Sequence, residues 1–285
     1  MAARSFRDRL GLAGARRGFR CISAVAAVAL MCAVAAVAGT IPVPSSSLTQ
    51  PGSLKYCSDI SSAPGEFYGA GHVAQGVDID VGSEIAKRLG LKPVWVNTAF
   101  AGIIPALQAK HCDAIISELF IKPPRKKVVD FVAYQTSGEE LLVLKGNHAH
   151  ITGLDNSLCG KKVAAETGTT VVDYLQAQDK TCKAAGKDGV TISLFLRDAD
   201  AFGQLIVKHV DAYGTTTDTA GYRTRSSNQF QVAGKPFGRI LVGIATNKSN
   251  KPLHEAIAEA YRAMKKDGTY AKIYEKWGLQ LNELK

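Results

Sequence analysis

The stretch that most constrains this chain runs from Cys112 to Phe131, CDAIISELFIKPPRKKVVDF. Ala114-Ile115-Ile116 is an apolar run too short for a helix and rich in isoleucine, which predicts a buried strand of a parallel sheet. Pro123 and Pro124 then block further strand and suit the first turn of a helix. A buried strand running into a helix start belongs to an open α/β sheet, where small ligands sit in the crevice beyond the strands' carboxyl ends. Arg125 falls just past such an end, and its planar guanidinium suits bidentate capture of a carboxylate. Lys126 and Lys127 read as a solvated helix face.

The flanking sequence continues the alternation. Residues 54–58 read as a first strand, and Val81, Ile85 and Leu89 recur at helical spacing with Gly90 as C-cap. Residues 94–96 form a strand, residues 100–109 a short helix and residues 113–117 the third strand. After Phe131, residues 137–145 read as a strand, and the pattern then repeats. Strands are expected at 162–165, 191–196 and 211–214, with helices opening at Gly168-Thr169-Thr170 and spanning 199–209. Residues 241–246 form a returning strand, and two helices, 253–266 and 269–277, finish the chain. Strand–helix alternation of this length predicts α/β layers with right-handed crossovers.

The first 38 residues read differently. Arg16-Arg17-Gly18-Phe19-Arg20 precedes an apolar run from Cys21 to Ala38, and Ala36-Val37-Ala38 supplies a small-x-small cleavage site before Gly39. The arginine pair with Phe19 partly matches a twin-arginine signal. A secreted protein, periplasmic or on the extracellular face of the membrane, is therefore expected. Residues 39–53, rich in Pro and Ser, read as a flexible spacer. The formal charge is +10, but residues 1–38 hold six Arg and one Asp, so half of that excess belongs to targeting. What remains lacks the aromatic-interleaved basic patch of a nucleic-acid binder. Export also makes disulfides the natural reading of Cys57, Cys112, Cys159 and Cys182. Cys159 and Cys182 would close a short loop, worth roughly 3 kcal/mol in the chain-entropy model. A Cys57–Cys112 bridge is left open. No Cys/His spacing of a metal site occurs, and no cofactor is expected.

Two blocks carry a resemblance. DAIIS followed by PPRKK and VVDF, and GVDIDVGSEIAKRLG at residues 76–90, are similar to the corresponding blocks of family 3 extracellular solute-binding proteins, the polar-amino-acid receptors of ABC importers. The similarity runs from about Leu54 to the C-terminus. It implies a two-lobed periplasmic-binding-protein-like (type II) α/β fold hinged on two crossing strands. Lobe 1 would comprise residues 54–138 and 239–285, and lobe 2 residues 139–238, closing over ligand. The implied partners are a small amino-acid-like molecule, an ABC permease and its ATPase, with a monomeric protein.

The candidate site follows from both readings. Gly168, Thr169 and Thr170 stand at a helix N-terminus, where unpaired N–H groups favour an anion; Thr167 lies beside them. The resemblance pairs this turn with Arg125 around an amino acid's α-carboxylate. It sets Phe100 against the ligand and turns Asp59 toward a basic side chain. The chain also departs from the family pattern. Ser62 stands in a loop where the family often has an aromatic residue. In Ser117-Glu118-Leu119-Phe120, Glu118 and Phe120 replace small residues that usually contact the carboxylate. Thr216 stands where an Asp usually binds the ammonium, with Asp218 two residues on. A cationic ligand would suit Asp59 and Glu118. The competing readings are a cyclohexadienyl-dehydratase-like enzyme, with a buried Glu118 as general acid, and a ligand sensor on the same scaffold.

Overall fold

A computed structural model describes residues 40–284. The expected export segment and its cleavage position lie outside them. The elements, in chain order, are β1 (Ser53–Ser58), β2 (Phe67–Tyr68), β3 (Ala74–Gln75), α1 (Val77–Arg88), β4 (Lys92–Asn97), α2 (Ile103–Gln108), β5 (Ala114–Ile115), α3 (Pro123–Lys126) and β6 (Val129–Leu144). They continue with β7 (Lys162–Glu166), α4 (Thr170–Ala184), β8 (Thr191–Phe195), α5 (Asp198–Ile206), β9 (Ala212–Thr216), α6 (Thr217–Ser226), β10 (Phe230–Val232), β11 (Phe237–Asn247), α7 (Lys251–Lys266) and α8 (Thr269–Trp277).

Nine strands form one continuous sheet in the order β4-β1-β5-β11-β6-β9-β7-β8, with β10 paired to β6. Strands β4, β1 and β5 are parallel, as are β8, β7 and β9. Between these two sets lie β6 and β11, long antiparallel partners that belong to both lobes. Two crossing strands thus join two α/β halves, the type II architecture.

Each half buries both faces of its strands, as parallel strands require. In the first, Leu54, Tyr56, Ala114 and Ile116 pack against Val81 and Ile85 of α1 and Leu253, Ile257 and Ala260 of α7. The opposite face, with Cys57 and Ile115, packs on Ile103 and Leu107 of α2. In the second, Val163, Ala165 and Ala212 meet Val171, Val172 and Leu175 of α4. Ala164 and Tyr213 meet Ala201, Phe202 and Leu205 of α5 on the other side. Apolar helix faces at i, i+4 spacing make this double covering possible.

Both disulfides are formed. Cys57–Cys112 ties β1 to the turn before β5, and Cys159–Cys182 ties the loop before β7 to the last turn of α4. The expected flexible spacer is instead docked on lobe 1. Ile41, Val43 and Leu48 pack against its core. The Ile41 N–H donates to the Arg88 carbonyl (3.0 Å), the Thr49 N–H to Asp113, and the Asn250 amide to the Ser47 carbonyl (2.8 Å). The Pro/Ser composition masks three apolar residues whose burial holds the segment down.

Candidate functional site

The parallel strands of the two halves point their carboxyl ends at a common cleft. Asp59 follows β1, Phe100 follows β4, and Ser117 and Glu118 follow β5. From the other side, Glu166 ends β7, Asp198 follows β8 and Thr216 ends β9. The cleft encloses ≈ 490 Å³ of space between atoms. Beyond these residues it is lined by Ser62, Glu66, Phe120, Arg125, Glu139, Thr169, Thr170 and Val171, with Gly214 and Thr215. Six lining residues carry carboxyl groups, and Arg125 is the single basic one among the described residues.

The lobes touch across this cleft. Arg125 donates from Nη1 to the Phe120 carbonyl (2.9 Å) and from Nη2 across to the Gly168 carbonyl (3.0 Å). Its guanidinium lies 5.4 Å from the centre of the Phe100 ring, a cation–π distance. Burial lowers its pKa to about 10. Lys122 pairs with Asp173 in the first turn of α4. Arg197 pairs with Asp59 (3.0 Å) and donates to Asn97 (2.8 Å). The Asp198 N–H donates to the Ser61 hydroxyl (3.0 Å).

Glu118 is the most constrained residue in the site. Its φ is +42°, a left-handed conformation that a side chain with a Cβ adopts at a cost. Asp78, in the first turn of α1, holds it there by accepting the Glu118 N–H (2.8 Å), while the Tyr134 hydroxyl donates to the other Asp78 oxygen (2.6 Å). Ser62 donates to Glu118 Oε2 (3.3 Å). Ser117 donates to Glu66 Oε1 (2.5 Å) and accepts the Asp59 N–H (2.9 Å).

Desolvation is the first cause of the shifted acids. Burial raises Glu66 and Glu118 well above the carboxylate range, reinforced by Asp78 and, for Glu118, by Asp218. Glu139 is raised by burial against the opposing pull of Lys122 and Arg125. Glu166 is pushed up to about 11 by burial and by Asp59 and Asp198. Asp198 rises to about 6, restrained by the Tyr213 hydroxyl and Arg223. Such clustering is what a binding or catalytic cleft shows.

Ten of the residues expected from sequence line the cleft: Asp59, Ser62, Phe100, Ser117, Glu118, Phe120, Arg125, Thr169, Thr170 and Thr216. Four do not. Leu119 is core, packed with Ile115 and Ile103, because the left-handed turn at Glu118 sends the next side chain inward. Thr167 extends β7, its N–H donating to the Phe195 carbonyl. Gly168 faces Ala101 and offers only its carbonyl, to Arg125. Asp218 lies behind the cleft at the hinge, where Gln135, Ser137 and Asn282 donate to it. Two lining residues also have prior engagements. Asp59 accepts from Ser61 and Phe100 N–H besides pairing with Arg197. Thr216 caps α6, accepting the Thr219 N–H. Sequence reading missed Glu66, Glu139, Glu166 and Asp198. Glu166 and Asp198 sit at strand ends facing the cleft, which was the available signal; Glu66 and Glu139 carried none.

Residues 54–280 match the model of the bacterial extracellular solute-binding proteins, family 3. The chain belongs to this family. It is 31% identical over 216 residues to the L-cystine-binding protein TcyJ of Escherichia coli (strain K12), covering 75% of this chain and 78% of that protein. Among solved structures, an ancestral arginine-binding protein bound to glutamine superposes with a TM-score of 0.72 at 36% identity, covering 80% of this chain and 98% of that one. The ancestral amino acid-binding protein AncCDT-1, a precursor of cyclohexadienyl dehydratase, gives 0.72 at 33% identity, covering 79% and 95%. These relatives are transport binding proteins or the ancestors of one enzyme, and the family's two-lobed cleft is the feature this chain shares with them.

Proposed function

We propose that this protein is the solute-binding component of an ABC importer and captures a cationic amino acid or a related small nitrogen compound between its lobes. The observation that carries the reading is the cleft's charge: six carboxyl groups against Arg125 among the described residues. Uncompensated buried carboxylates are costly, and a ligand cation offsets that cost. Arg125 and the N-terminus of α4 leave a place for a carboxylate if the ligand has one; Thr169 gives α4 no side-chain cap, and the Thr170 hydroxyl is unpartnered. Ligand-dependent closure of the two lobes then presents a surface to a permease that the ATPase partner drives. The protein acts as a monomer outside the cytoplasmic membrane; no described helix is long and apolar enough to cross one.

The reading is non-enzymatic. A cyclohexadienyl acid brings carboxylates of its own, and the wall formed by Glu66, Glu118, Glu139 and Glu166 would repel them. The deciding experiment is a thermal-shift screen against basic, neutral and acidic amino acids, amines and cyclohexadienyl acids. Stabilisation by basic compounds alone supports the reading. Stabilisation and turnover of a cyclohexadienyl acid would replace it with the enzyme.

A further inference from the structure

Among the described residues, four buried carboxylate oxygens in the cleft have no hydrogen-bond partner: Glu66 Oε2, Glu118 Oε1, Glu166 Oε1 and Asp198 Oδ2. Their residues are 1%, 6%, 5% and 4% exposed, and all four line the one cavity. In each of Glu66, Glu118 and Asp198 the second oxygen is held by a hydroxyl, from Ser117, Ser62 and Tyr213 respectively, so the unpartnered oxygen is the one left for a ligand. The four fall into two pairs on different lobes. Glu66 and Glu118 come from the first lobe and lie close enough to raise each other's proton affinity; Glu166 and Asp198, from the second, do the same.

The protein does not supply the missing cations. Arg125 directs both terminal nitrogens to backbone carbonyls, and Arg197 is paired with Asp59. No group of three or more His, Cys, Asp or Glu residues is placed to share a metal ion among the described residues. The lining between charged groups includes Phe100, Phe120 and Val171, surfaces suited to methylene groups.

We infer that the cleft is a two-point site for an organic dication: two ammonium or guanidinium centres joined by a short aliphatic chain, one held by Glu66 and Glu118, the other by Glu166 and Asp198. This rests on the cationic-ligand reading above and sharpens it. A dibasic amino acid and a diamine share that chemistry. Each ligand centre forms charge-assisted hydrogen bonds in a water-poor cleft, so loss of either centre strands a carboxylate pair. The second lobe gains its ligand contacts only when the cleft closes, so Glu166 and Asp198 also make closure selective for the second charge.

The test is calorimetric titration of the purified protein with matched ligands: lysine against norleucine and cadaverine against pentylamine, each pair differing by one ammonium. The dication is expected to bind at least 100-fold more tightly than its partner. In the E166Q/D198N double variant the two members of each pair should converge, with affinity for the monocation or neutral partner unchanged. E118Q should weaken all amines. A preference for lysine over cadaverine assigns the ligand as an amino acid and the reverse as a diamine; both support two cation sites. Tight glutamine or norleucine binding without preference for the second charge overturns this inference and leaves the transport reading standing. Failure of every amino acid and amine to bind removes both.

Discussion

Arg125 was legible in the sequence as a binding residue, but its geometry gives it a second task. It bridges the lobes through the Gly168 carbonyl while lying over Phe100. Arg125→Ala should therefore weaken ligand binding at least 10-fold, and Arg125→Lys should not restore it, since a point charge cannot reach two carbonyls as a fork does. Titration calorimetry on both variants tests this, and wild-type affinity in the lysine variant would refute it. Glu118 poses the opposite trade. Its left-handed backbone and buried carboxylate both cost stability. Glu118→Gly should raise ligand-free stability by about 1 kcal/mol and abolish tight binding of amines. Denaturant unfolding beside a binding assay checks both halves; a destabilised variant would mean that Glu118 supports the fold.

The turn into α4 is where one element decides closure. Gly168 has φ +86°, and a Cβ there would lie 3.1 Å from Ala101 Cα on the opposite lobe. Gly168→Ala should strain the turn by roughly 1 kcal/mol and hold the lobes apart. Small-angle scattering of the variant with saturating ligand should stay at the larger radius of the open form, and an unchanged compact profile would refute the claim. The same helix is tied at its other end by Cys182 to Cys159. Replacing both cysteines with serine should destabilise by about 3 kcal/mol, seen as a lower melting temperature of the non-reduced protein.

At the scale of the molecule, the buried acids set a pH dependence. Asp198 is raised to about 6 and Asp78 to about 7, both chiefly by burial. Around Asp198 lie Tyr213, Arg223 and Asp59; around Asp78 lie Tyr134, the Glu118 N–H, Asp218 and Glu66. Between about pH 4 and 7 the folded protein therefore keeps protons that the unfolded chain has released, and ligand-free stability falls as pH rises. Glu166, higher still, extends the trend above that window. The exposed acids lowered by ion pairs, Asp130 and Asp267, act in the other sense, but their contribution is lost only as the pH falls into the acid range. A cationic ligand replaces the retained protons. Ligand-induced stabilisation should thus grow from pH 5 to 8, with proton release visible as a buffer-dependent binding enthalpy. A constant thermal shift across that range, with no proton release, would refute it.

Local pattern carried the elements. The apolar runs at Leu54, Ala114 and Val163, the helical spacing of Val81, Ile85 and Leu89, and the proline pair before Arg125 each specify a segment through contacts within a few residues, and those segments are present. The docked stretch at Ile41, Val43 and Leu48 escaped because its apolar residues are sparse and their partners are far along the chain. The site divides the same way. Arg125, Glu118 and the turn at Gly168 are readable because they follow strands, whereas Glu66 reaches the cleft by a loop and Glu139 by the hinge strand. Whether a carboxylate is engaged, as Asp59 is by Arg197, or left unpartnered, as Glu166 Oε1 is, depends on groups brought together across two lobes. By itself the sequence determined the two-lobed α/β architecture and the position of the cleft, because both follow from local periodicity and strand order. Only the tertiary structure decided the cleft's charge, because burial and pairing are properties of residues distant in sequence.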